Sequence, residues 1–211
     1  MARKGRASRG KLEIDAYLAF AIFAAVGVAT WGLDQAVRLT LAWSTLLVLA
    51  VVHGTGQKVQ FSYTLTELAR GAVVGVLLAV PVCLVLRDFL TATSQRLFAA
   101  DSILSLLWGA VLLMPAVEAL YFRGLVYRQK GLWPSVLLYA GAGVVYFLPV
   151  TWDGHLPILA ALVCGMALLG FVYGYVRAMH GLATSLVCQA TINCVFFVLP
   201  PLAQGLTRAV G

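Results

Sequence analysis

Apolar residues along this chain arrive in long blocks, separated by short polar stretches. A helix on the surface of a water-soluble protein carries one apolar face and one polar face. These blocks are apolar all round, the pattern of helices that meet lipid. Seven spans are expected, at roughly 14–33, 37–53, 67–86, 103–127, 132–151, 156–178 and 182–205. Gly54-Thr55-Gly56-Gln57-Lys58 reads as a turn between the second and third. The polar stretch from Arg87 to Asp101 fits an interfacial segment or a short amphipathic helix. Pro200-Pro201 is expected to kink or end the last helix. The first block, Ala16 to Gly32, is long for a signal-peptide core, and Asp34 follows it without a small-x-small site. It is therefore expected to stay as a membrane helix. The fold class is all-α, a polytopic transmembrane bundle of about seven spans. It divides into a basic segment (1–12), N-terminal transmembrane helices (13–99), a C-terminal helical core (100–205) and a short tail (206–211).

Composition agrees with this pattern. Of the 211 residues, 62% are hydrophobic and 11% charged, too few charges to cover a water-facing surface. The formal net charge of +7 would raise nucleic acid as a partner of a soluble protein. Here Arg3, Lys4, Arg6, Arg9 and Lys11 sit directly before the first apolar block. That is a topology signal and an attraction to anionic lipid headgroups. No nucleic-acid partner is expected, since no aromatic-interleaved basic strand or recognition helix is present. With the N-terminus in the cytoplasm, Lys58, Arg70, Arg123, Arg128, Lys130 and Arg177 join the cytoplasmic side. Arg38, Arg87, Arg96 and Arg208 then fall outside, so a multi-pass integral membrane protein with a cytoplasmic N-terminus is expected. Cys83, Cys164, Cys188 and Cys194 lie in apolar stretches without a CxxC pair, and neither a disulfide framework nor a zinc knuckle is expected. Trp31, Trp43, Trp108, Trp133 and Trp152 mostly fall near span ends, and an aromatic belt accounts for most of them.

Polar groups inside spans mark function or a paired structural role. Glu118 ends an apolar run that begins at Ile103. Arg123 follows five residues later, about 140° around an α-helix, so the two should not face each other. Glu118 therefore needs a partner from another helix. Gln189 and Asn193 are four apart and share a helix face. As interhelical glue such a group is worth about 1 kcal/mol. Thr151, Trp152, Asp153 and His155 close the fifth span, where Asp153 and His155 fit a solvated turn. Gly170-x-x-x-Gly174 permits close helix approach.

The run Glu118-Ala-Leu-Tyr-Phe-Arg-Gly-Leu-Val-Tyr-Arg resembles the first motif, Glu-Glu-x-x-x-Arg, of the CPBP family of intramembrane peptidases. That family includes the CAAX prenyl endopeptidases and the bacteriocin-processing and immunity proteins. Phe147-Leu-Pro-Val-Thr151 resembles its Phe-x-x-x-His motif, and Gln189-Ala-Thr-Ile-Asn193 its His-x-x-x-Asn motif. The resemblance covers about residues 100–197, so it implies a CPBP-like core in the C-terminal half. Carried over by position, it implies a remnant site of Glu118, Arg123, Thr151, Gln189 and Asn193. A shift of one turn in the second motif would bring in His155 instead of Thr151. Ala119 replaces the second glutamate, and Thr151 and Gln189 replace both histidines. Threonine and glutamine are poor metal ligands. The expectation is a pseudo-peptidase without cofactor, serving other membrane proteins as an accessory or structural subunit. The alternative is an active endopeptidase with Glu118 as general base, and a divalent metal belongs only to that alternative.

Overall fold

A computed structural model describes residues 15–54, 64–98, 103–151 and 156–202, with backbone alone at 53, 54, 150 and 151. The described residues form helices joined by short turns. They are α1 (Ala16–Ala29), α2 (Gln35–Gly54), α3 (Leu65–Val85), α4 (Arg87–Phe98), α5 (Ile103–Lys130), α6 (Leu132–Thr151), α7 (Leu156–His180) and α8 (Leu182–Leu202). Among them, α2, α3 and α5 to α8 are long and apolar enough to cross a bilayer. The chain is thus a multi-pass integral membrane protein. The first expected span differs: α1 has 14 residues, a rise of about 21 Å against a hydrocarbon core of about 30 Å. The polar stretch after α3 is the amphipathic helix α4, which buries Leu90, Thr91, Ser94, Leu97 and Phe98 and exposes Arg87, Asp88 and Arg96.

Two tight corners repeat one device. Gly131 between α5 and α6 and Gly181 between α7 and α8 have φ of +90° and +91°, and a Cβ at either would meet nothing within 4 Å. The requirement for glycine is therefore conformational. Close approach explains the other key glycines. A Cβ at Gly170 or Gly174 would press on Tyr139 or Leu132 of α6, as their spacing suggests. A second pair escaped the sequence reading. On α3, a Cβ at Gly71 would stand 2.4 Å from the Thr184 carbonyl oxygen, and one at Gly75 would stand 2.8 Å from that of Cys188. These contacts run α3 parallel to α8 and α6 antiparallel to α7. Lys130 of α5 also meets Asp15 before α1 at 3.0 Å. One end of the bundle therefore gathers the starts of α1, α3, α6 and α8 with the finishes of α5 and α7.

Among the described residues, three segments are wound as π-helix: Leu107–Leu113 and Ala119–Val126 in α5, and Cys194–Val198 in α8. Their hydrogen bonds run from residue i to i+5. The prolines explain what surrounds them. Proline has no N–H and strands the carbonyl it would have bonded, and in a membrane that carbonyl must find another donor. Pro149 strands the Val145 carbonyl, which accepts from Arg38 Nη2 of α2 at 2.6 Å. Pro201 strands Phe197, which accepts from Ser94 Oγ of α4 at 3.2 Å. In the i+5 register Pro200 strands Val195, which accepts from Cys83 Sγ of α3 at 3.5 Å. In the same register Pro115 strands Ala110, which accepts from Asn193 Nδ2 of α8 at 2.8 Å. With these donors α8 stays helical through Pro200-Pro201 as far as Leu202, the last described residue of the helix.

Candidate functional site

Glu118 stands between the two π segments of α5 and is fully buried. From α8, Gln189 reaches it: Nε2 donates to Glu118 Oε2 at 2.6 Å and to the Tyr139 hydroxyl of α6 at 3.2 Å. The other end of the same amide, Oε1, accepts from Arg123 Nη2. Acid and guanidinium are thus joined through one carboxamide, with nothing exposed at Glu118 or Gln189 and 2% at Arg123. The expectation that Glu118 and Arg123 look in different directions fails for a physical reason. In a π turn, residues five apart are hydrogen-bond neighbours and stack nearly one above the other. Ala119–Val126 is π-wound, so Arg123 swings back over Glu118 and both address Gln189. The Arg123 guanidinium also lies 4.9 Å from the centroid of the Tyr173 ring of α7.

Asn193 shares the helix face of Gln189 but does other work. Its amide goes to the Ala110 carbonyl, with Met114 Sδ at 3.8 Å, and not to Glu118. Thr151 ends α6, but its side chain lies outside the described residues, as does all of His155. The structure therefore gathers Glu118, Arg123 and Gln189, and sets Asn193 one turn away in a backbone-repair role.

Three aromatic partners were not foreseen. Tyr139 and Tyr146 are seven apart on α6 and share a face. Among the described residues, Glu118 Oε1, Tyr146 Oη and Trp43 Nε1 are buried without a hydrogen bond of ordinary geometry. The Tyr146 hydroxyl nevertheless faces both the Glu118 carboxyl and the Trp43 indole. Trp43 is thus a core residue, 6% exposed, and not a member of an aromatic belt. The heptad spacing of the two tyrosines was the available signal; Trp43 offered none. The donor set bears on metal as well. Glu118 is surrounded by an amide, phenols and a guanidinium, of which Arg123 would repel a cation. Among the described residues, no three of His, Cys, Asp and Glu gather.

No family model matches the chain, and no curated protein and no solved structure matches it.

Proposed function

We propose that this membrane protein works by binding other membrane proteins, as an accessory or structural subunit, around a core that resembles a CPBP-type peptidase site but is chemically silent. The observation that carries the reading is the Gln189 bridge. One amide engages both the acid of the cluster and its cation. A general base must instead keep an oxygen within reach of a water and a substrate. The arrangement is enclosed, and a buried charge pair of this kind is held by mutual satisfaction. Asn193, the residue that the family pattern would offer to an oxyanion, is occupied at a proline-freed carbonyl.

A second reading has one observation in its favour. Glu118 Oε1 carries no ordinary hydrogen bond, so it could take a proton from a water in an active glutamate peptidase. One experiment separates the two. The purified full chain is incubated with prenylated and leader peptides, beside Glu118→Gln, and the detergent-extracted assembly is weighed by native mass spectrometry. The expected result is no Glu118-dependent cleavage and a partner membrane protein in fixed stoichiometry. Cleavage that disappears in Glu118→Gln overturns the silent-core reading.

A further inference from the structure

The finishing turns of α5 and α7 carry an arrangement that the Glu118 cluster does not use. The Arg123 guanidinium of α5 lies 4.9 Å from the centroid of the Tyr173 ring of α7. Four residues further on in both helices the roles are exchanged. Tyr127 of α5 presents its ring, and Arg177 of α7 lays its guanidinium over it, 3.9 Å from the centroid. Residues four apart share a helix face, so the two stacks form successive rungs of one ladder, about 6 Å apart along the axis. A ring face answers the charge of a guanidinium but takes none of its in-plane N–H groups. Arg123 Nε, Tyr173 Oη and Arg177 Nη1 are buried without a hydrogen-bond partner among the described residues. Exposure rises along the ladder. The inner rung is closed, with Tyr173 at 0% and Arg123 at 2%. Tyr127 and Arg177 of the outer rung are half-buried, and Arg128, next in the chain, is exposed.

We propose that a row of ordered water molecules runs along this ladder, from the end of the bundle inward to Arg123. Buried polar groups left without protein partners are where internal water binds, each molecule held by about three of them. The chemistry of the three atoms selects the ligand. Both guanidinium nitrogens can only donate, so the ligand must accept; the tyrosine hydroxyl does either. Water accepts from each and hands its own protons outward, toward solvent at the half-buried rung. A small anion would also accept, but it would add a second buried negative charge to the bundle that encloses the Glu118 carboxyl, at the full cost of desolvating an ion. Hydration also gives a physical reason for a guanidinium at this depth, since charged side chains within spans face the bundle interior or water. The row ends at Arg123, across the Gln189 amide from Glu118, so the inference stands whether or not that core is silent.

The test is hydroxyl-radical footprinting by X-ray radiolysis of the full chain in lipid nanodiscs, read by peptide mass spectrometry. Radicals generated from bound water oxidise the side chains they touch. Tyr173 and Tyr121 make the comparison internal. Both are tyrosines at 0% exposure, but the Tyr121 hydroxyl donates to the Ala16 carbonyl at 3.1 Å. Tyr173 should be oxidised several-fold faster than Tyr121. Arg177→Met removes the outer donor and should bring Tyr173 down to the Tyr121 rate, whereas Arg177→Lys keeps a donor and should retain most of the difference. If Arg177→Met fails to fold, the two tyrosines of the parent chain decide alone. Equal rates in the parent overturn the proposal. So does Tyr173 oxidation accompanied by fast amide hydrogen exchange through the second half of α7, which reports an opening of the helix and not enclosed water. A third overturning result is an unfolding temperature that falls when chloride is replaced by gluconate in the parent but not in Arg177→Met, which assigns the ladder to an anion.

Discussion

Arg38 and Arg123 are both buried guanidinium groups inside a membrane bundle, each 2% exposed, and they are there for different reasons. Arg38 of α2 gives Nη2 to two consecutive backbone carbonyls of α6, Val145 and Tyr146, at 2.6 and 2.8 Å. Both lie in the turn that Pro149 disrupts. Its positive charge also faces the carbonyl-rich last turns of α6, where a cation is favoured. Arg123 donates its hydrogen bond to a side chain, Gln189, which in turn holds Glu118. One cation repairs a helix, and the other belongs to an acid–amide cluster. A buried charge in a membrane helix is therefore no site by itself; the nature of its partner decides. The same test separates Gln189 from Asn193, which share a face and differ in what they satisfy.

The largest effect should come from breaking the cluster. Arg123→Met leaves a buried carboxylate without its cation, which costs about 3–5 kcal/mol. Glu118→Leu alone should cost a similar amount, because it strands Arg123. The double variant should cost clearly less than the sum of the two, since neither charge is then left alone. Thermal or denaturant unfolding in detergent measures all three. Strict additivity would mean that Gln189 does not transmit any coupling between them.

Arg38→Met is expected to be milder, about 1–3 kcal/mol, the cost of leaving buried carbonyls unsatisfied. Its signature is the partner it answers to. In a Pro149→Ala background the Val145 carbonyl regains a backbone donor, so the Arg38→Met cost should shrink. Glu118→Leu should leave it unchanged. If instead Arg38→Met couples to Glu118 and ignores Pro149, the two arginines are not of different kinds.

Much of this contrast was legible in the sequence, and the illegible part has one cause. The apolar blocks place the helices to within a few residues, and Glu118 and Gln189 stand out because polar groups in spans are costly. What periodicity cannot deliver is a change of winding. Reading α5 as uniform α-helix turns Arg123 away from Glu118; the π segment turns it back. Pro200-Pro201 announces a disturbance of the last helix but not the donors that meet the freed carbonyls, Ser94 and Cys83, about a hundred residues distant. Pro115 and Asn193 were each visible, but their relation depends on the i+5 register around Leu107–Leu113. Gly71-x-x-x-Gly75 carried the same signal as Gly170-x-x-x-Gly174 and was passed over.

The smallest effect tests an ion pair outside the bilayer, where both arguments about buried charge should lose force. Asp15 meets Lys130 at 3.0 Å and caps α1 through the Tyr17 amide. The Lys130 hydrogen bond, helped by that cap, holds its carboxyl below the usual carboxylate range. A carboxyl depressed in the folded state stabilises the protein above its unfolded pKa, about 3.9. That contribution is lost as pH falls through the lower, folded value. Asp15→Asn keeps the capping oxygen, since asparagine caps as well as aspartate, and removes only the charge. Its unfolding temperature should therefore sit slightly below the parent's at pH 7, and the gap should close as pH drops below about 4. Added salt should narrow it too, because an exposed pair is screened. A gap that persists in acid, or that rivals Arg38→Met at pH 7, would mean that the loss does not come from the Asp15 charge.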